Sequence, residues 1–191
     1  LPVFMQASVQ LKAGMVVADE HYVISNSLIS ADEYQVFNVK KHGEIYFANL
    51  KCGLLGHYQR KNTVTVLAAI EQLVKNGLRI TEKDIYSGIR KVVLNTGLSG
   101  RWQLIQRNPT VICDTAHNAD GIRAVLQQVT ETPGKNLHLI IGFVNDKDVL
   151  EILKYMPSYA SFYFTRLAVP RTMDEHILAS IAQRFGFKGK T

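Results

Sequence analysis

The first 57 residues contain short apolar stretches separated by polar ones, a pattern typical of β-strands. Three stretches rich in β-branched or aromatic residues are predicted strands: Pro2 to Gln6, Gln35 to Lys40 and Glu44 to Asn49. Lys41-His42-Gly43, between the last two, is a predicted hairpin turn.

The hydrophobic period changes to that of a helix at Asn62. Apolar residues recur on one helical face between Val64 and Val74, and Asn76-Gly77 supplies a C-terminal stop signal. This segment is therefore predicted to be a helix that begins near Asn62.

A second predicted helix follows directly. Thr81 stands three residues before Asp84, which is a weaker relative of the capping box, and the apolar face continues from Ile85 to Leu94. The polar, glycine-rich segment from Asn95 to Gly100 then marks the predicted domain boundary.

Beyond this boundary, predicted strands alternate with predicted helices of about ten residues. In chain order these elements are the strands Trp102 to Gln106 and Thr110 to Cys113, the helix Ala119 to Val129, the strand Leu137 to Gly142, the helix Lys147 to Tyr155, the strand Ser161 to Thr165 and the helix Asp174 to Phe185. Such alternation predicts an α/β fold with a mainly parallel sheet and helices on both faces.

Polar side chains follow three of these strands. In an open parallel sheet, ligands bind beyond the carboxyl ends of the strands. We therefore expect the loops Asp114 to Asn118, Gly142 to Asp148 and Thr165-Arg166 to face one crevice. The alternative is that Asn118 or Asp114 caps the next helix and that His117 is a surface histidine.

Two earlier segments also contain residues suited to a ligand. Gly100-Arg101-Trp102 offers a planar guanidinium, which can bind a phosphate or simply remain solvated. Gly53 to Asn62 combines two glycines, an aromatic residue and two amides before a helix. Its backbone can approach a ligand while Asn62 hydrogen-bonds a purine edge, or Asn62 can cap its helix.

Composition narrows the function classes. The chain has 191 residues, of which 47% are hydrophobic and 20% charged, with a net charge of +6. No apolar run or basic leader predicts a membrane segment or signal peptide, so the expected location is the cytoplasm. Because the basic residues are dispersed, small phosphate-bearing molecules fit better than nucleic acid. Cys52 and Cys113 are expected to be buried free thiols, and no Cys/His cluster has the spacing of metal ligands.

Three common motifs are absent from the sequence. It contains no G-x-x-x-x-G-K-[ST] loop, so no such loop in it would cradle the β- and γ-phosphates of a nucleotide. It also lacks G-x-G-x-x-G after a strand and the G-x-S-x-G nucleophile elbow, which disfavours a dinucleotide-binding domain and an α/β-hydrolase.

The order of several segments resembles a known family. These segments are LLGHYQRKN before a helix, GRWQ, a strand ending in DTAHN, DKD after the next strand, and Pro170-Arg171. Together they resemble the C-terminal part of folylpolyglutamate synthase/dihydrofolate synthase, which belongs to the Mur ligase superfamily of ATP-dependent amide ligases. HYQRKN and the combination of Gly100-Arg101 with DTAHN are the most specific pieces, and HYQ separates folate from peptidoglycan ligases better than the Asp-x-Ala-His turn does.

The resemblance implies a two-domain enzyme that adds L-glutamate to dihydropteroate or a folate through an acyl phosphate formed from ATP. Residues 1–95 would be the end of an N-terminal ATPase domain, and residues 98–191 most of a Rossmann-like C-terminal domain without its last strand. The P-loop and the Mg²⁺ ligands would lie in a missing N-terminal region, so this chain is expected to be inactive alone. The complete enzyme is expected to be a monomer.

The resemblance also implies roles for four residues. Asn62, Arg101 and Asp114 would contact ATP, and His117 would lie near the nucleotide and the incoming glutamate as the candidate catalytic residue.

The sequence departs from the family pattern at three positions. Thr115 replaces the usual glycine and Ala119 the usual proline of DGAHNP, and Gln103 stands where an acid is common. Two other functions stay open: another Mur-type ligase that joins amino acids to a different acid, such as a muramyl peptide, or a non-catalytic Rossmann-like binding module whose polar loops are helix caps.

Overall fold

The computed structural model describes residues 1–145 and 147–191. It divides into two compact units, Leu1–Ile112 and Cys113–Thr191. Among the helices of these described residues, none combines the length and the apolarity needed to cross a membrane.

The first unit contains a three-stranded antiparallel sheet and several helices. Its strands are β1 Tyr22–Ile29, β2 Gln35–Lys41 and β3 Glu44–Cys52 in the order β1-β2-β3, and a two-stranded sheet is formed by β4 Gln103–Arg107 and β5 Thr110–Cys113. Its helices are α1 Pro2–Gln10, α2 Ala18–His21, α3 Gln59–Lys75, α4 Glu82–Arg90 and α5 Val92–Thr96.

The β2-β3 hairpin and the start of α4 confirm the predicted local structure. His42 and Gly43 both have positive φ, 50° and 88°, as a tight turn between twisted strands requires. At α4, Thr81 N donates to Asp84 Oδ2 at 2.9 Å, and Asp84 N donates to Thr81 Oγ1 at 3.3 Å. This reciprocal capping box satisfies two backbone N–H groups at the helix start.

The N-terminal prediction was wrong. Pro2 to Gln6 was expected to be a strand, but it forms the first part of α1, in which Pro2 occupies the first turn and no side chain is buried. Proline is favourable there, because the missing N–H would have no partner within the helix and the fixed φ suits the first turn. Strand β1 was not predicted, because its apolar residues are interrupted by Ser25, Asn26 and Ser27.

The core of the first unit lies between the sheet and α3. Alternate residues of β2, including Phe37 and Val39, are fully buried, as period-two side-chain alternation dictates for a half-buried strand. They pack in one cluster with Leu50 of β3 and with Val64 and Leu67 of α3. Burial of these side chains holds α3 against the sheet.

The second unit contains a parallel sheet, which confirms the predicted α/β class. Its elements are α6 Ala119–Glu131, β6 His138–Ile141, α7 Val149–Leu153, β7 Ser161–Phe164, α8 Glu175–Arg184 and β8 Gly189–Lys190. The strand order is β6-β7-β8, and both pairings are parallel. Strand β5 was expected in this parallel sheet, but it pairs with β4 instead. The short β8 was not predicted.

The buried cluster of the second unit joins β7 to helices α7 and α8. Phe162, Ile152 and Leu178 are at most 2% exposed and belong to this cluster. The two cysteines are free thiols: Cys52 is buried, as expected, whereas Cys113 is only half-buried because it lies at the end of β5.

Glu71 links α3 to the sheet of the first unit through hydrogen bonds and ion pairs. Its Oε2 accepts hydrogen bonds of 2.9 Å from Tyr22 Oη and from Lys41 Nζ, and its Oε1 lies 3.1 Å from Lys75 Nζ. The hydrogen bonds from Lys41 and Lys75 lower the pKa of Glu71 from 4.5 to about 2. Burial and the hydrogen bond to Glu71 raise the pKa of Tyr22 to about 12.

We expect this cluster to make stability depend on pH. The folded-state pKa of Glu71 is lower than its ordinary value, so its contribution is fully present above pH 4.5 and is lost as the pH falls toward 2. The shift would correspond to roughly 3 kcal/mol at most, and partial solvent exposure reduces the expected contribution to about 2 kcal/mol.

Urea unfolding of Glu71→Gln checks this expectation. At pH 7 the free energy of unfolding of the variant should be about 2 kcal/mol lower than that of the unmutated chain. This difference should shrink as the pH approaches 2. Glu44→Gln, at an exposed position of the hairpin, is the matched control and should cost less than about 0.5 kcal/mol. A constant difference between pH 7 and pH 2.5 would show that the charge of Glu71 is unimportant.

Candidate functional site

The segment Gly53 to Asn62 leads from β3 into α3. Gly53 N donates to Ile89 O at 3.2 Å, and a Cβ at Gly53 would lie 2.6 Å from the carbonyl oxygen of Arg90. Glycine is therefore needed at position 53 for the close approach of two backbone segments of this chain.

Asn62 lies inside the first turn of α3, because the helix begins at Gln59, three residues earlier than predicted. The alternative in which Asn62 caps its helix was therefore wrong, since Tyr58 is the N-cap. Asn62 Nδ2 donates to Oε1 of the buried Gln59 at 2.9 Å, and the Asn62 side chain is exposed. This contact fixes the orientation of an amide that faces solvent.

Arg101 lies in a tight turn that enters β4. Gly100 and Trp102 on either side have left-handed φ values of 68° and 50°, and Gly100 N donates to Gln103 Oε1 at 2.8 Å. Arg101 is half-buried, and its Nη1 donates to Gly100 O at 3.3 Å. The turn therefore holds the base of the guanidinium side chain in a defined place.

The loop Asp114 to Asn118 opens the second unit. Asp114 Oδ1 accepts from Ala116 N at 2.8 Å, which closes a turn of the kind Asp side chains favour. Asn118 is the N-cap of α6, and its Oδ1 accepts from Gly121 N at 2.8 Å. The capping alternative is thus confirmed for Asn118, whereas Asp114 shapes the loop.

His117 is exposed on this loop, and its Nδ1 lies 3.0 Å from the carbonyl oxygen of Thr115. A carbonyl oxygen can only accept, so this contact places the hydrogen on Nδ1. In the neutral imidazole, Nε2 is then the atom that can accept a proton or a hydrogen bond.

The loops after β6 and β7 meet at the same edge of the parallel sheet, as predicted for two of the three loops. The prediction was wrong for the loop Asp114 to Asn118, because it follows β5, which pairs with β4 outside that sheet. Thr165 N donates to Ile141 O at 3.0 Å, and a Cβ at Gly142 would lie 2.4 Å from Thr165 O. The loop Gly142 to Asp148 was also expected to contribute Asp146, which lies outside the described residues. Asp148 caps α7 through a 3.0 Å hydrogen bond from Glu151 N.

The segment after Pro170-Arg171 joins this edge. Asn145 N donates to Arg171 O at 2.9 Å, and Met173 N donates to Phe143 O at 2.8 Å. Arg166 is held by an ion pair with Asp174, whose Oδ2 lies 2.9 Å from Nη1. The two loops that follow β6 and β7 therefore meet beyond the carboxyl ends of these strands, where a ligand of a parallel sheet binds.

The four predicted site residues are divided between the units. Asn62 and Arg101 belong to the first, and Asp114 and His117 to the second. Two residues that support the candidate site were not predicted: Gln59, which bonds with Asn62, and Gln103, which closes the turn around Arg101. The spacing of Gln59 and Asn62, three residues apart at a helix start, is the signal that could have identified the first.

The described residues do not provide a metal site. Within 1–145 and 147–191, no three His, Cys, Asp or Glu side chains come together as candidate ligands. The four candidate site residues supply an amide, a guanidinium, a carboxylate and an imidazole. These groups are suited to hydrogen bonding with a nucleotide and an amino acid.

The sequence and fold are similar to those of known proteins. Residues 100–190 match the family model described as Mur ligase, glutamate ligase domain. A dihydrofolate synthase/folylpolyglutamate synthase of Mycobacterium tuberculosis is 28% identical over 191 residues, which covers 97% of this chain and 38% of that protein. A probable bifunctional folylpolyglutamate synthase/dihydropteroate synthase of Haloferax volcanii is 30% identical over 136 residues, covering 71% of this chain and 15% of that protein.

The fold similarity extends over nearly the whole chain. A crystal structure of Mycobacterium tuberculosis folylpolyglutamate synthase complexed with ADP and AMPPCP superimposes with a TM-score of 0.82 at 27% identity, covering 99% of this chain and 43% of that one. The chain thus spans less than half the length of these relatives. The resemblance drawn from the sequence motifs is confirmed: residues 100–190 match the glutamate ligase domain of the Mur ligase family, and the chain as a whole is similar to the C-terminal part of folylpolyglutamate synthase/dihydrofolate synthase proteins.

Proposed function

We propose that the complete protein is an ATP-dependent ligase that joins the amine of L-glutamate to a carboxyl group of dihydropteroate or a folate. The observation that carries this proposal is the similarity of fold over 99% of the chain to a folylpolyglutamate synthase complexed with ADP and AMPPCP. We assign residues 1–95 to the end of an ATPase domain and residues 98–191 to the glutamate ligase domain. The match of the family model to residues 100–190 supports the second assignment.

The proposed reaction has two steps. The acceptor carboxylate takes the γ-phosphoryl group of ATP to give an acyl phosphate and ADP. The glutamate amine then attacks the acyl carbon, an amide bond forms, a proton is lost from nitrogen, and inorganic phosphate leaves. Several negative charges must be held together in both steps, so positioning and fixed positive charge are the main contributions of the protein.

In the first unit, Arg101 and Asn62 have the chemistry that a nucleotide requires. The guanidinium of Arg101 is a planar cation that can bind phosphate oxygens in a bidentate manner. The amide of Asn62, oriented by Gln59, can pair with the donor and acceptor of an adenine edge. Together they would bind the two ends of the nucleotide.

In the second unit, Asp114 and His117 supply acceptors. The carboxylate of Asp114 can accept hydrogen bonds from ribose hydroxyls. His117, with its Nδ1 directed to the Thr115 carbonyl, offers Nε2 to orient the incoming glutamate or to accept a proton from its amine. Thr115 and Ala119, which depart from the family pattern within this segment, leave the turn and the helix after it intact.

The described residues do not fit a Mg²⁺ site, since they provide no cluster of carboxylate ligands. We therefore derive no step for the metal from this chain. The ligands of the Mg²⁺ that accompanies ATP are expected elsewhere in the complete protein, together with a phosphate-binding loop.

An assay of the purified complete protein tests the proposed function. With ATP and L-glutamate, we expect ADP release that depends on dihydropteroate or tetrahydrofolate as the acceptor. UDP-linked peptidoglycan precursors should give no ADP above background. Activity with those precursors alone would assign the chain to another Mur-type ligase, and no activity with any acceptor would favour a binding module.

Replacement of Arg101 tests its role in this reaction. Arg101→Ala in the complete protein should lower the turnover number at least a hundredfold, on the order of 3 kcal/mol of lost transition-state stabilisation. Arg107→Ala removes an exposed arginine of β4 that pairs with Glu33 and is the matched control; its turnover should stay within threefold of the unmutated value. If Arg101→Ala also stays within threefold, Arg101 has no part in the mechanism.

A further inference from the structure

A groove with a strongly basic lining separates β3 from α4 in the first unit. Four cations line it, Lys51, Lys83, Arg90 and Lys91, together with Tyr86 and Asn49, and its volume is about 350 Å³. We call this feature the basic groove. These cations are dispersed in the sequence, where they formed no recognisable cluster, and the fold gathers them in one place.

The two walls of the basic groove are fixed to each other. Tyr86 Oη of α4 donates to Ala48 O of β3 at 2.9 Å. At the other end, the hydrogen bond from Gly53 N to Ile89 O holds the last turn of α4 against the chain that leaves β3. The groove is therefore preformed and does not depend on a mobile loop.

The positive charges of the groove are poorly compensated. Lys51 pairs with Asp32, with 2.6 Å between Nζ and Oδ2. Lys83, Arg90 and Lys91 are exposed, and none forms an ion pair with another residue that the structure describes. Like charges brought together repel one another, and an anion in the groove would relieve that repulsion.

An aromatic ring brings two of these cations side by side. Lys51 Nζ lies 5.5 Å and Arg90 Cζ lies 5.2 Å from the centroid of the Tyr34 ring. Cation–π attraction of this kind offsets part of the repulsion between them. Tyr34 thus positions Lys51 and Arg90 in the groove.

Stabilisation of the helix dipole explains only part of this arrangement. Arg90 and Lys91 lie at the C-terminal end of α4, where a positive charge is favourable. Lys83 lies in the first turn of the same helix, where a positive charge is unfavourable. The helix dipole therefore does not account for the position of Lys83, which neighbours Glu82 and Asp84 in that turn.

The spacing of the cations indicates the kind of anion. Lys83 and Arg90 are separated by about 10 Å along the helix axis, at 1.5 Å per residue. Cations spread over this length fit several separated negative charges better than one compact phosphate. A γ-linked glutamate chain has this character, since each unit carries its own carboxylate.

We propose that the basic groove binds the γ-linked oligoglutamate chain of a folate. The choice of this ligand rests on the proposed function, under which the complete protein produces such chains. Strand β3, which supplies Lys51, continues directly into the segment Gly53 to Asn62, so the groove and the proposed ATP contact of Asn62 are joined by one short stretch of chain.

Binding to the isotopically labelled 191-residue chain tests the proposal. Free γ-linked triglutamate and pentaglutamate should shift the backbone amide signals of β3 and α4. The affinity should rise at least tenfold from triglutamate to pentaglutamate and fall as NaCl is raised from 50 to 300 mM, because the contacts are ionic. Monomeric glutamate should cause no shift at millimolar concentration.

Neutralising variants locate the site. Lys83→Gln/Arg90→Gln/Lys91→Gln should weaken pentaglutamate binding at least tenfold, and circular dichroism should show an unchanged fold because all three side chains are exposed. The matched control, Lys135→Gln/Arg184→Gln/Lys188→Gln, makes the same change in net charge at exposed positions outside the groove and should alter the dissociation constant less than twofold.

Three results would overturn the proposal: no pentaglutamate binding at millimolar concentration, equal loss of affinity in both triple variants, or binding of inorganic tripolyphosphate as tight as that of pentaglutamate. Absence of pentaglutamate binding would show that the groove is not a binding site for this ligand. Equal loss of affinity in both triple variants would indicate non-specific charge attraction, and equally tight tripolyphosphate binding would assign the groove to phosphates. None of these measurements uses catalysis, so a failure here is distinguishable from a failure of the ligase assay.

Discussion

Parallel pairing of β6 with β7 is the constraint that determines where the second unit can bind a ligand. Parallel strands end at the same edge of a sheet, so the chain must leave both strands there, and Gly142 permits the two exits to approach closely. Strand-like pairing of residues 143–145 with 171–173 joins the two loops that follow these strands at that edge. Backbone hydrogen bonds between these loops, together with burial of Phe143 in the core of the second unit, thus place the polar groups at this edge.

The first unit positions its polar residues by a different means. Burial of the α3 face against β2 and β3, together with the Glu71 cluster, holds α3 against the sheet and hence places Asn62. Arg101 is positioned by backbone conformation, since two left-handed residues flank it and the Gln103 side chain closes the turn. In both places the supporting residue is an amide that hydrogen-bonds within the chain and leaves the functional side chain in a defined position.

Local signals in the sequence were sufficient where a few residues dictate a conformation. The Lys41-His42-Gly43 turn, the Thr81/Asp84 capping box and the alternating elements of the second unit are of this kind, because turn, cap and period each depend on near neighbours. The α1 helix was not predicted because an exposed helix lacks a buried apolar face. The basic groove was not predicted because its cations come together only where α4 packs beside β3. For Asn62 and Asp114, the sequence spacing allowed either a helix-capping role or a ligand-binding role. The fold excludes helix capping by Asn62. The proposal that these residues bind a ligand rests on the similarity to the family.

The central claim is the proposal that Asn62, Arg101 and Asp114 contact ATP in the complete protein. Photolabelling of the complete protein with an azido derivative of ATP, followed by peptide mapping, tests this claim most directly. The account predicts labelled peptides from both the segment around Asn62 and the loop around Asp114 and His117, with labelling of both abolished by excess ATP. Labelling confined to one of the two units, or labelling that persists in excess ATP, would contradict it.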